Sequence, residues 1–403
     1  GLDIRNKIQV DAVDKLSPHL TGAESRNAIL LNGNFNFSLD IQTLLQSIRP
    51  QISRHSRIFV ICYNSYLRGP LRFASKIGLR TGPDVDTFLT RSDIHNLARL
   101  SGFEALSHRP VAHFPFRLFG IGTFLDRLLV ALPLFKWLGV STISVLRPIG
   151  PDERKLDLSI LIPARNERGN IEPAVKRILE LPIPVREVIF VEGHSSDETW
   201  NEIQRVSQHY RDLIKIKTIQ QTGRGKADAV RIGFTLAEGD LLTILDADLT
   251  MPPEDLPKFY NAYKSGLADF VNGSRLVYPM EGEAMRFLNR LGNLFFARWI
   301  SLLLNTHLND TLCGTKFFAR LDYLRFVQWR KDFGDFDPFG DFDLVFPAVV
   351  MNLGVIEVPI HYRARVYGST QIRRFYHGAM LLKMCTIAFF KISIGQSDVS
   401  NKS

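Results

Sequence analysis

From Leu156 onward, short apolar runs take turns with stretches of helical periodicity. Leu158–Ile162, Val188–Val191, Ile214–Ile219 and Leu241–Leu245 read as strands, and roughly 170–181, 197–208 and 226–238 as helices. Strands separated by such helices predict a mostly parallel sheet covered on both faces. Ligands on such sheets bind at the carboxyl ends of the strands. Polar residues gather there: Arg165-Asn166-Glu167 after the first strand, Glu192-Gly193-His194 after the second and Asp246-Ala247-Asp248 after the fourth.

The first 147 residues are patterned differently. Ser38–Ile48 predicts a helix, Arg57–Cys62 a buried strand, and Arg91–Leu100 a helix begun by Thr90 or Ser92. Phe119–Leu146 is strongly apolar, interrupted by Arg127 and Lys136, and Pro148-Ile-Gly-Pro-Asp-Glu-Arg154 has the composition of a linker. The expected organisation is a first domain over 1–147, a linker over 148–155, a second domain over 156–394 and a tail over 395–403. Within the second domain, Glu283–Asn305 reads as an amphipathic helix with Leu291, Phe295, Trp299, Leu302 and Leu303 on one face. Such a stripe usually packs into a core; lying on a lipid or covering an isoprenoid chain is the alternative.

Composition narrows the classes. The 403 residues are 45% apolar and 23% charged, which excludes a fibrous or disordered chain. No uncharged run exceeds 13 residues, against the ~20 apolar residues of a spanning helix, so no transmembrane segment is expected. Three dispersed cysteines exclude a disulfide framework and a cysteine zinc site and fit a reducing compartment. The chain opens at Gly1 without a basic-then-apolar leader, so no signal peptide is expected, and it reads as the continuation of a longer one. The net charge of +9 is uneven: 18 Lys+Arg against 10 Asp+Glu in residues 1–150, but 32 against 31 afterwards. Val358–Ser397 holds six Lys/Arg and no acid, which suits phosphates or an anionic lipid surface.

The strongest chemical signal is Asp246-Ala247-Asp248. Two carboxylates one residue apart, just past a buried strand, can face one hard divalent cation together, with substrate phosphates completing its shell. Gly223-Arg224-Gly225-Lys226 precedes a helix and offers N–H groups and two cations to a phosphate; a plain glycine turn is the other reading. It matches neither the P-loop nor the dinucleotide fingerprint. Asp341 and Asp343 form a second carboxylate pair, where capping and catalysis both remain open.

In order, these pieces resemble the family 2 glycosyltransferases of the dolichol-phosphate mannosyltransferase type. The likeness runs from about Leu156 to Ile394. Ile162-Pro163-Ala164-Arg165-Asn166-Glu167 resembles the opening nucleotide-binding strand and turn. Val191–Thr199, with Glu192 and Gly193, resembles the segment that holds base and ribose, and Asp246-Ala247-Asp248 the family's metal motif. Asn272–Arg275, Asp310–Lys316 and Arg365–Gln371 resemble segments that handle the diphosphate and the acceptor phosphate. Glu192 stands where the family has Asp, and Gln371 where it has Lys. Asp343 falls where the family has Glu and Asp341 where it has Gln, which favours Asp343 as the functional carboxylate.

The resemblance implies a GT-A type α/β fold and a hexosyltransferase. Its donor would be a nucleoside-diphosphate sugar (GDP-mannose or a UDP-sugar), its acceptor a polyprenyl (dolichyl or undecaprenyl) phosphate, its cofactor Mg²⁺ or Mn²⁺ on Asp246 and Asp248, and its outcome inversion. Donor binding falls to Pro163, Ala164, Arg165, Glu167, Glu192, Gly193, Arg224, Lys226, Asp246, Ala247, Asp248 and Arg275. Acceptor binding falls to Thr315, Lys316, Arg363, Arg365 and Ser369, and catalysis to Asp343, Asp341 and Asp248. A peripheral position on the cytoplasmic membrane face, without nucleic acid, completes the expectation. Residues 1–147 resemble the C-terminal half of a class I S-adenosylmethionine methyltransferase with a partial Rossmann-like sheet, on Leu31–Gln42 and Leu100-Ser-Gly-Phe-Glu104. The glycine-rich cofactor turn is absent from these residues, so this segment is not expected to bind the methyl donor alone. The alternatives are a methyltransferase whose sugar-nucleotide half recruits substrate, a non-catalytic binding module, and a glycosyltransferase with a sugar-hydroxyl acceptor.

Overall fold

The computed structural model describes residues 26–80, 82–112, 139–279, 287–334, 337, 339–365, 367 and 374–394, without the side chains of 287–291, 374–377 and 393–394. The chain divides into two units, the first containing residues up to Gly150 and the second Pro151–Lys391.

In the first unit a sheet forms in the order β1-β2-β4-β3 from β1 (Ala28–Asn32), β2 (Arg57–Tyr63), β3 (Phe103–Val111) and β4 (Ser141–Pro148). β1 and β2 are parallel, while β4 runs antiparallel to both β2 and β3. Helix α1 (Ile41–Ile48) starts where Asp40 accepts the Thr43 N–H, not at Ser38. Helix α2 spans Arg68–Lys76. Helix α3 (Arg91–Leu100) starts at Thr90, whose hydroxyl and the Asp93 carboxylate form a reciprocal capping box. Leu45, Ile48, Ile58, Ile94, Phe103 and Leu146 close the core. Pro148, expected in the linker, ends β4.

The second unit is a seven-stranded sheet in the order β11-β9-β10-β8-β5-β6-β7. Its strands are β5 (Leu158–Ala164), β6 (Val185–Glu192), β7 (Lys215–Gln220), β8 (Leu241–Ile244), β9 (Phe270–Ser274), β10 (Lys316–Ala319) and β11 (Val355–Pro359). All pairings are parallel except those of β10, which is antiparallel to β8 and β9. Leu158, Ile160, Leu161 and Ile162 expose no surface, as expected for a strand covered on both faces. Helices α4 (Arg168–Leu179), α5 (Thr199–His209) and α6 (Lys226–Leu236) follow β5, β6 and β7, so their N-termini meet at the carboxyl edge. Then come α7 (Leu256–Lys264), α8 (Phe287–Leu304), α9 (Arg320–Phe333), α10 (Phe342–Val350) and α11 (Arg374–Ala388). None of the described helices is long and apolar enough to cross a membrane.

Helix α8 corrects one expectation. Its buried face is Asn293, Ala297, Ile300 and Leu304, whereas Phe295, Trp299 and Leu302 are 51%, 40% and 74% exposed. The register follows a polar contact rather than apolar bulk. Asn293 Nδ2 donates to the buried Asp310 carboxylate at 2.9 Å, so the inward face carries a polar group whose unmade bond would cost ~1–3 kcal/mol.

Candidate active site

The loops after β5 and β6 are laced into one platform. Asn166 adopts a left-handed backbone (φ 56°); its N–H donates to Ser195 Oγ at 3.0 Å, and its Oδ1 accepts from the Ser196 N–H at 2.8 Å. The Glu167 N–H donates to Thr199 Oγ1, and Gly193 donates to the Ala164 carbonyl. Glu192 turns inward: its carboxylate accepts the Ser195 N–H at 2.5 Å and Gln220 Nε2 at 3.0 Å. Burial opposes its ionisation, but the N–H donors win and hold its carboxyl below the usual range. Pro163 lies in β5 with Ala164, and Arg165 is exposed at the loop's outer edge. Of the residues expected to bind the donor here, Glu192 therefore serves the loop's own geometry.

Beyond β8, each of the paired aspartates has its own cation. Asp246 Oδ1 lies 2.5 Å from Lys226 Nζ, at the start of α6. Asp248 Oδ2 lies 2.5 Å from Arg365 Nη2, and its Oδ1 accepts from the Thr250 hydroxyl at 2.8 Å. Arg365 also reaches Glu167 Oε1 at 3.2 Å. Burial opposes ionisation of Asp246, but Lys226, Lys316 and Arg275 lower its pKa. Burial likewise opposes the charge on Lys226, and Asp246, Asp341 and Asp248 raise its pKa. Burial pushes the Glu167 carboxyl up to about 7 against the pull of Arg365. Gly314 permits this packing: a Cβ there would stand 2.3 Å from Asp246 Oδ2 and 2.4 Å from Lys226 Nζ. Each of the two carboxylates thus lies against a protein-borne cation, Lys226 on Asp246 and Arg365 on Asp248. No group of three or more His, Cys, Asp or Glu is placed to hold a metal among the described residues.

A second polar layer lies behind this edge. Arg275 is locked in a two-pronged pair with the buried Asp310, Nε–Oδ2 2.7 Å and Nη2–Oδ1 2.8 Å, so its cation is already matched. Asn272 bonds the Asp310 carbonyl, and Glu357 accepts the Asp310 N–H at 2.9 Å. Thr315 and Lys316 are buried; Lys316 Nζ donates to the Cys313 carbonyl and lies 3.5 Å from Asp341 Oδ1. That buried Asp341 oxygen makes no hydrogen bond. Asp343 instead meets Arg231 Nε at 2.9 Å and Arg330 Nη1 at 3.4 Å. Of the two expected carboxylates, Asp343 is held by two guanidiniums, while Asp341 lies beside Lys316. Arg363 and Arg224 are exposed, and Ser369, with Gln371 and Arg373, lies outside the described residues.

Capping of α10 falls to neither expected aspartate. Asp337 Oδ2 accepts the N–H groups of Phe342 at 2.7 Å and Asp343 at 2.9 Å. Burial and the nearby Asp343 charge push the Asp337 carboxyl up to about 7 from an ordinary 3.8, against those N–H bonds. Between those values the folded protein keeps a proton that the unfolded chain has lost, so stability falls as pH rises through the window. Asp337→Asn flattens that slope, which urea midpoints between pH 4 and 8 measure.

Asn293, Asp337 and Arg231 escaped sequence reading. A polar residue inside an apolar helix marks Asn293, and an acid just before an apolar helical run marks Asp337; for Arg231 no local signal exists.

Residues 159–322 match Glycosyl transferase family 2. A "Dolichol-phosphate mannosyltransferase" of Pyrococcus furiosus is 31% identical over 54% of this chain and 60% of its own length. A "Dolichyl-phosphate hexose transferase" of Haloferax volcanii is 30% identical over 56% of this chain and 91% of its own. The "Undecaprenyl-phosphate 4-deoxy-4-formamido-L-arabinose transferase" of Enterobacter sp. strain 638 is 24% identical over 53% and 62%. Among solved structures, a glucosyl-3-phosphoglycerate synthase of Mycobacterium tuberculosis, in complex with Mn²⁺, UDP and glucosyl-3-phosphoglycerate, aligns with TM-score 0.42 and 16% identity over 59% of this chain and 81% of that one. The chain belongs to the family 2 glycosyltransferases, with a GT-A-like α/β fold in its second unit. It is an enzyme of that class, related to the dolichol-phosphate mannosyltransferases and other polyprenyl-phosphate sugar transferases.

Proposed function

We propose that the protein transfers one sugar from a nucleoside-diphosphate sugar, GDP-mannose or a UDP-sugar, to a polyprenyl phosphate, inverting the anomeric centre. One observation carries this reading: Arg365, from the acid-free segment Val358–Ser397, rests on Asp248 and Glu167 at the strand edge. A cation that spans the donor-side carboxylates from the expected acceptor segment suits two anionic substrates meeting at one point.

In a single displacement, an acceptor phosphate oxygen bonds to the anomeric carbon. The bond to the nucleoside diphosphate breaks, and its electron pair leaves with the diphosphate. The acceptor is already largely anionic at neutral pH, with a second phosphate pKa of about 6, so no base need deprotonate it. Lys226 supplies fixed positive charge where the diphosphate's negative charge develops, and Lys316 and Arg365 offset the charge of the acceptor phosphate. Asp246 and Asp248 fit a hard divalent ion: two carboxylates suffice when substrate phosphates provide the other oxygens. They would hold Mg²⁺ or Mn²⁺, which supplies Lewis-acid stabilisation of the leaving group.

Three further elements belong to the proposal. The order β1-β2-β4-β3, with β1 parallel to β2 and β4 antiparallel to its neighbours, supports a methyltransferase-like fold for residues 1–147, ahead of a transferase domain over 156–394. The exposed Phe295, Trp299 and Leu302 support a peripheral position on the cytoplasmic membrane face. The unbonded Asp341 oxygen favours one rival, a sugar-hydroxyl acceptor that needs a general base.

A panel of UDP- and GDP-sugars with a short polyprenyl phosphate, read by released nucleotide, tests the reading. Release only with a sugar-hydroxyl acceptor sinks it. Asp341→Asn should change kcat less than about tenfold with the phosphate acceptor; a loss of about 10²–10⁴ identifies a base and selects the rival. Arg365→Ala should raise the acceptor KM about tenfold, more than the donor KM, because a desolvated charge-assisted bond contributes ~1.5–3 kcal/mol. A change confined to the donor KM would reassign Arg365.

A further inference from the structure

The first unit carries a helix with no buried residue. In α2 (Arg68–Lys76) the backbone is well fastened. Asn64 Oδ1 accepts the Tyr66 N–H just before it at 3.1 Å. After it, Gly78 turns the chain at φ 74°, and Arg80 Nη1 donates to Ser75 Oγ at 3.2 Å and to the Pro83 carbonyl at 2.7 Å. Isolated helices this short do not hold in water, so these fastenings keep it in place while its own apolar side chains stay uncovered.

At 100° per residue the helix shows three faces. Leu71, Ala74 and Ser75 are half-buried and form the inner one. Arg68, Arg72 and Lys76, spaced i, i+4, i+8, form an exposed basic stripe; the Arg68 guanidinium also lies 5.9 Å from the Phe88 ring centre. Beside that stripe Phe73 and Ile77 form an apolar one, 63% and 50% exposed; Tyr66 before the helix and Leu79 after it are exposed as well. Charge selects the occupant: Ile41–Pro83 contains seven Lys/Arg and no Asp or Glu.

We propose that α2 is an interfacial anchor that lies on an anionic lipid surface, Phe73 and Ile77 entering the acyl boundary and Arg68, Arg72 and Lys76 resting among phosphate headgroups. An apolar stripe flanked by Lys and Arg, with the carboxylates excluded, is the pattern that binds anionic membranes. A nucleic acid or a second copy of the chain would leave one of the two stripes unused. This surface belongs to the first unit and does not rest on the acceptor assigned to the second.

The test uses the full chain. Cys62, Cys313 and Cys385 are buried, so Phe73→Cys takes a nitrobenzoxadiazole label selectively. Its emission should rise on phosphatidylglycerol vesicles and stay flat on phosphatidylcholine vesicles. Replacing Arg68, Arg72 and Lys76 by Gln should weaken phosphatidylglycerol binding roughly 100-fold. Phe73→Ser with Ile77→Ser should weaken it at least about tenfold. Both sets should leave the thermal midpoint and transfer to a short water-soluble polyprenyl phosphate unchanged, which separates this proposal from the catalytic one. A flat label signal on phosphatidylglycerol overturns the anchor. So does equal binding of both vesicle types, or a dimer that the Ser variant converts to monomer.

Discussion

Asp248→Asn lowers kcat by about 10²–10³ and leaves the fold intact. The change removes one unit of negative charge from the strand edge, and preorganised electrostatics of this kind are worth ~3–4 kcal/mol per group. Folding survives because Arg365 keeps Glu167 at 3.2 Å and the Asn side-chain oxygen still accepts from Thr250. The measurement is turnover against Mn²⁺ concentration, with the circular dichroism melt as control. Turnover that stays at the wild-type level and ignores chelator removes both the metal and the role of Asp248.

The largest effect on stability is expected at Asp310. Its carboxylate exposes no surface and accepts twice from the Arg275 guanidinium, and also from the Arg275 N–H, Asn293 and the Leu312 N–H. Burial opposes its charge, yet Arg275 holds its pKa down at about 2. Asp310→Asn leaves the Arg275 guanidinium without its countercharge inside the protein, and breaking a buried pair in this way costs ~3–5 kcal/mol. Urea unfolding should show that loss and the melting temperature should fall by about 10 °C. A loss below about 1 kcal/mol would show that water reaches the pair and that Asp310 is not what holds β9 to α8.

Much of the second unit was legible locally. The expected strand Leu158–Ile162 is Leu158–Ala164, and the expected helix 226–238 is Lys226–Leu236. Boundaries moved where a single hydrogen bond decided them, as at Asp40, whose side chain caps α1 so that it starts at Ile41, three residues later than the expected Ser38. The misread face of α8 has the same origin. Apolar periodicity names the greasier side, but the buried side carries Asn293, which bonds a carboxylate 17 residues further on.

The division follows from the range of the forces. Alternation of period two, helical periodicity and the place of Asp246 and Asp248 past a buried strand are properties of neighbouring residues, so the chain alone determined four of the seven strands, the helices between them and the edge where chemistry gathers. Which cation lies on which carboxylate is a property of closure. Lys226 reaches Asp246 from the next helix, Arg365 reaches Asp248 across 117 residues, and Arg231 claims Asp343 across 112. Those pairings turn on Coulomb attraction between groups that only the folded packing brings within a few ångströms, and no spacing along the chain encodes them.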